Sequence, residues 1–126
     1  MSPIAVAAAL VAAALHAWFF VLESVQFMRP PVWRRFGLGS EADARVVRSF
    51  AFNQGFYNLF LTAGVAIGLG LVAMGNVEAG RAIVAFACGS MVAAGVVLVA
   101  HNPAFVRAAA VQAVPPLVAL VAIALG

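Results

Sequence analysis

The sequence predicts an all-α, polytopic membrane protein: a four-transmembrane-helix bundle with almost no soluble part. Three observations carry that expectation. Hydrophobic residues fill 66% of the 126 positions and charged residues 9%, against about 45–50% and about 25% in soluble domains; mean hydropathy is +1.11. Four apolar stretches, Pro3–Met28, Val46–Val72, Arg81–Ala100 and Phe105–Leu125, are each long enough to cross a bilayer, which takes about 20 residues of helix. The basic residues, all arginine, are distributed unevenly between the connections: Arg29, Arg34, Arg35, Arg45 and Arg48 follow the first stretch and Arg107 follows the third, leaving Arg81 alone after the second. By the positive-inside rule the first and third connections are cytoplasmic and both termini lie outside.

A single transmembrane domain over residues 1–126 is expected, with helices at about 3–28, 41–73, 79–101 and 105–125 and a cytoplasmic loop at 29–40. The first helix opens on Pro3, which the first turn tolerates. No Lys or Arg precedes Arg29, so the segment reads as a retained helix rather than a cleaved signal. Ala5, Ala9, Ala13 and Ala17 give it a face of small side chains suited to close helix packing. Pro30-Pro31 is expected to end it, and Trp33 and Phe36 to sit at headgroup level among arginines.

Ser40-Glu41-Ala42-Asp43 resembles a capping box that starts the second helix in the cytoplasm. Gly64 and Gly68 form a GxxxG pair along it. Residues 75–80 make a short outer turn in which Glu78 and Arg81 are placed to pair. Asn102-Pro103 marks the second cytoplasmic turn, and Pro115-Pro116 is expected to kink the fourth helix.

The polar residues inside the apolar stretches carry the functional information. At about 1.5 Å of rise per residue, Glu23 lies roughly 9 Å and His16 roughly 20 Å up the first helix from Arg29. On the same scale Asn53, Gln54, Tyr57 and Asn58 lie roughly 8–15 Å beyond Arg48, and Gln112 roughly 8 Å beyond Arg107. Three helices thus place polar groups in one layer, the cytoplasmic half of the bilayer. His16, Glu23, Asn53, Gln54, Tyr57, Asn58 and Gln112 form the candidate ligand-binding cluster. Their seven-residue spacing puts His16 and Glu23 on one side of the first helix. Gly55 leaves room there for a neighbouring helix or a ligand. Any one amide or the Tyr57 hydroxyl equally serves only to tie helices together, whereas a carboxylate at depth needs a partner or a proton. His16 is either a packed neutral histidine or a proton acceptor.

Several chemistries are excluded. The chain has no lysine, so no Schiff base to retinal or pyridoxal can form. With Cys88 the sole cysteine, there is no intrachain disulfide or thiolate metal cluster. His16 and His101 differ in depth by roughly 20 Å, which rules against bis-histidine haem ligation. His16 and Glu23 lie about 10 Å apart along one helix, too far to share a metal. No metal or other cofactor is expected. The basic loop suits topology and anionic lipid rather than nucleic acid.

The runs HAWFFVLES (His16–Ser24), FAFNQGFYNLFLTAG (Phe50–Gly64), GRAIVAFACGSMVAAG (Gly80–Gly95) and VQAVPPLVAL (Val111–Leu120) are similar to the bacterial family called Domain of Unknown Function 1304. The NQGxYNxFL element is the most specific of these, and the likeness covers nearly the whole chain. The resemblance implies a small four-helix protein of the bacterial inner membrane and assigns it no chemistry. The first functional expectation is a protein that binds or transports a small molecule or proton through the polar layer, in a homodimer or larger assembly with the alanine face or the Gly64/Gly68 face at the interface. The alternatives are an accessory or assembly subunit in which the layer is only structural, and a membrane-embedded isomerase-type enzyme using Glu23 with His16 or Tyr57. No nucleophile motif or phosphate loop accompanies the enzyme reading.

Overall fold

The computed structural model describes residues 1–126, all helix and connections. The elements are α1 (Pro3–Phe20), continued by a π-helical turn (Val21–Val25); α2 (Pro30–Arg35); α3 (Glu41–Ala73); α4 (Val77–His101); a 3₁₀ turn (Pro103–Phe105); and α5 (Val106–Leu125). Four helical segments are long and apolar enough to cross a membrane: Pro3–Val25, Glu41–Ala73, Val77–His101 and Pro103–Leu125. Between 17 and 28% of each apolar window is buried within the chain. The rest, including Phe60, Ile67, Phe86 and Val97, faces outward, an apolar surface of the kind lipid covers. At 33 residues, α3 is about 50 Å long. It exceeds a hydrocarbon core of about 30 Å, so its charged first turns have room to lie outside.

The chain forms two compact units, Met1–Leu15 with Leu61–Gly126, and His16–Phe60. In the first, Ala5, Ala9 and Ala12 are fully buried with Val65, Val84, Cys88 and Met91. Thr62 Oγ1 donates to the Ala13 carbonyl at 3.0 Å. A Cβ on Gly68 would lie 2.7 Å from Val84 Cγ2 and 2.9 Å from the Gly80 carbonyl oxygen, so α3 and α4 meet backbone to backbone. The alanine face and Gly68 are therefore occupied within one chain, and the small-residue faces expected at a subunit interface are already used. Pro116 is buried and α5 runs unbroken through Pro115-Pro116.

Arg81 does not take up the expected surface pairing with Glu78. Its Nη2 donates to the Ile123 carbonyl at 2.7 Å, one of the last carbonyls of α5 that have no partner in their own helix. A cation there also opposes the negative end of the helix dipole.

The second unit packs Leu22, Phe27, Val32, Trp33 and Ala44 together. Here the structure departs from the sequence expectation in three places. The first helix leaves α geometry after Phe20, well before Met28, with the Gln26 amide reaching the Val21 carbonyl at 2.9 Å, an i to i−5 bond. Pro30-Pro31 opens α2 instead of ending α1, because proline is well suited to a first turn; the 29–40 connection is thus partly helical. Trp33 is 5% exposed: the short helix turns it into this core instead of leaving it on the surface, with Arg34 over its ring at 5.2 Å.

Both glycines with positive φ end helices. Gly75 (φ 90°) follows α3 and Gly37 (φ 79°) follows α2. In each case the next amide reaches back five residues: Asn76 to Leu71 at 2.9 Å and Leu38 to Trp33 at 3.4 Å, the Schellman pattern. The start of α3 is capped as its sequence implies. The Asp43 amide donates to Ser40 Oγ at 3.1 Å, and that hydroxyl donates to Asp43 Oδ2 at 2.8 Å. At the second turn, Asn102 Oδ1 accepts from the Ala104 amide at 3.1 Å, which starts the 3₁₀ turn.

Candidate functional site

The π-helical turn carries Glu23 and Ser24, and π turns inside α-helices recur at functional sites. Opposite them on α3 lies Gly55, where a Cβ would collide with Ser24 Oγ and sit 3.0 Å from the Ser24 amide nitrogen and 3.1 Å from Glu23 Cβ. Glycine thus brings the two backbones together. Two side-chain bonds exploit that approach. Ser24 Oγ donates to the Phe52 carbonyl at 2.7 Å, and Asn58 Nδ2 donates to Glu23 Oε2 at 2.7 Å. Phe56 caps the contact from the side, edge-on to Phe20 with ring centroids 5.2 Å apart and tilted against Phe52 at 5.1 Å.

Beside this contact is an open surface groove of about 490 Å³. Its polar lining is Glu23, Asn53 and Gln54; Phe27, Phe36 and Phe50 supply aromatic wall, and Leu38, Val47 and Ala51 the aliphatic part. Glu23 is the one ionisable group in that lining. The structure therefore brings four of the expected residues together: Glu23, Asn53 and Gln54 in the groove and Asn58 behind the carboxylate.

The other three do not line it. His16 is fully buried, its ring edge-on to Phe19 at 5.2 Å. Tyr57 is 54% exposed and edge-on to Phe60 at 6.3 Å. Gln112 is half-buried on α5, in the other unit. No three side chains among His, Cys, Asp and Glu converge in a way that could hold a metal ion.

A family model matches residues 10–124, from within α1 to the last turn of α5. The chain belongs to that family, Protein of unknown function (DUF1304). The DUF1304 match takes in every candidate residue from His16 to Gln112, together with the π turn, α2 and the groove. No curated protein and no solved structure matches the chain.

Sequence reasoning missed Ser24 and most of the wall. Ser24 adjoins Glu23, and Phe27 lies one helical turn beyond it, so both were in reach of a local reading. Phe36 and Leu38 were not, because their approach depends on the α2 turn that the sequence was read as lacking.

Proposed function

We propose that this DUF1304 protein is a multi-pass integral membrane protein of the bacterial inner membrane that binds a small amphiphilic molecule in the groove beside Glu23. The arginine asymmetry supports both termini outside the cytoplasm, with the groove toward the cytoplasmic boundary, where Val47 and Phe50 flank Arg48. The observation that carries the reading is a carboxylate bonded by Asn58 in the lining of a largely apolar groove. Apolar walls with a few placed polar groups are the usual composition of a small-molecule site. Transport, if the groove serves it, uses Glu23 as the charge or proton carrier within a homodimer or larger assembly.

The test is binding of the neutral fluorophore N-phenyl-1-naphthylamine to full-length protein in nanodiscs. Saturable binding that Ala51→Phe weakens at least tenfold supports the groove. Binding unchanged in that folded variant overturns it.

A second reading has its own observation. The Ser24–Phe52 and Asn58–Glu23 bonds are what a structural lock requires, and an accessory subunit needs nothing more. That reading stands if no probe binds while Asn58→Ala lowers thermal stability. The enzyme reading lacks comparable support, since Tyr57 packs on Phe60 outside the groove lining and offers Glu23 no acid–base partner there.

A further inference from the structure

We propose that the groove takes a lipophilic organic cation, its charge held by Glu23 and its apolar groups set among Phe27, Phe36 and Phe50; this rests on reading the groove as a ligand site. The first ground is charge. Five arginines fall between residues 29 and 48, yet none lines the groove, and its one ionisable group is a carboxylate. Two of them have other engagements: Arg45 pairs with Glu41 at 2.5 Å and Arg34 lies over Trp33.

The second ground is what Glu23 lacks. Asn58 donates to Oε2, no protein group donates to Oε1, and no guanidinium lies within ion-pairing distance. A carboxylate beside apolar walls at membrane depth is costly without a counter-charge or a proton. A bound cation supplies the counter-charge, a neutral ligand supplies none, and an anion is repelled.

The third ground is the wall. Phe27 and Phe36 pack with centroids 5.5 Å apart, and Phe50 is largely exposed beside them. Aromatic faces attract cations within about 6 Å, most strongly where water is excluded. The Asn53 and Gln54 amides add carbonyl acceptors for a ligand N–H, so protonated amines and quaternary cations both fit.

The experiment uses two probes of one shape and opposite charge, tetraphenylphosphonium and tetraphenylborate. Binding is measured by equilibrium dialysis against full-length protein in zwitterionic nanodiscs, with empty nanodiscs subtracted. Saturable phosphonium binding is expected, at least tenfold tighter than borate binding. Glu23→Gln is expected to weaken it at least tenfold. Because Glu23→Gln touches the Asn58 bond, Gln54→Glu and Gln54→Lys at an exposed lining position give a second readout, expected to tighten and weaken phosphonium binding respectively, each about threefold or more. Phosphonium binding no tighter than borate, or indifferent to all three variants, overturns the cation assignment; if the neutral probe still binds and Ala51→Phe removes it, the groove reading survives alone. Absence of binding by all three probes overturns both.

Discussion

Asn58 and Glu23, 35 positions apart in sequence, are joined by a 2.7 Å bond from the amide nitrogen to the carboxylate. Asn58 is almost fully buried, so nothing else in the chain's surroundings easily replaces it as a donor. Hydrogen bonds to charged groups are worth about 1.5–3 kcal/mol in soluble proteins, and polar contacts between membrane helices average about 0.6 kcal/mol with a maximum of about 1.7. Asn58→Ala is therefore expected to destabilise the protein by about 1–2 kcal/mol, read as an earlier midpoint in detergent unfolding. Asn58→Asp should be worse than alanine at neutral pH, because it sets a second carboxylate against the first. An aspartate variant as stable as the wild type would show that the bond does not hold this contact.

Gly55→Ala is expected to cost about 1–3 kcal/mol, the usual range for overpacking. The obstacle is Ser24, whose hydroxyl and amide nitrogen occupy the space a Cβ would need. Ser24→Ala should rescue the variant only in part, since the amide nitrogen remains 3.0 Å away. Gly39→Ala, which meets nothing within 4 Å, is the control. Thermal unfolding of the three variants separates the steric effect from lost backbone freedom.

The crossing of α3 and α4 makes a parallel prediction. At Gly80 an added Cβ would lie 2.5 Å from the Gly68 carbonyl oxygen and 2.8 Å from the Val72 amide nitrogen, both backbone atoms that no rotamer change can move. Gly80→Ala and Gly68→Ala should each destabilise by about 1–3 kcal/mol, while Gly70→Ala, facing open space, should be neutral or slightly stabilising. Equal midpoints for Gly70→Ala and Gly80→Ala would rule out the close crossing.

Arg81→Gln tests the tie to the end of α5. A charged donor on a helix-terminal carbonyl is worth about 1–2 kcal/mol. The substitution should raise amide hydrogen exchange over the last turn of α5 with little effect near Asn102. Arg81→Lys should recover part of the protection, because it keeps the charge and loses the planar donor geometry.

How much of this was legible beforehand follows from the range of each interaction. The four long helices were readable because bilayer length and arginine placement are written locally, and Ser40 with Asp43 announced the start of α3 three residues apart. Glu23 and Asn58 were placed in one layer by depth alone, and the structure adds the bond between them. The π turn left no such mark: VLESV reads as ordinary helix, and the extra residue it absorbs matters only because Gly55 and Asn58 are waiting on α3. Trp33 was misassigned for a related reason. Its flanking arginines signal a membrane boundary, but the local composition is silent about which way a six-residue helix turns its indole.

The π turn also carries a consequence for chain length. Five residues of π turn cover about the same rotation as four of α-helix, so deleting one residue from Val21–Val25 would restore α geometry and leave Gln26 at nearly the same azimuth. The loss would be local: Glu23 and Ser24 would no longer share a widened turn from which to reach Asn58 and the Phe52 carbonyl. The additional residue acts as an insertion absorbed where it stands, widening one turn to serve a single contact. A relative lacking it should keep four membrane-length helices while presenting a different side chain to the groove, which makes the local residue count there a simple marker of which members share this site.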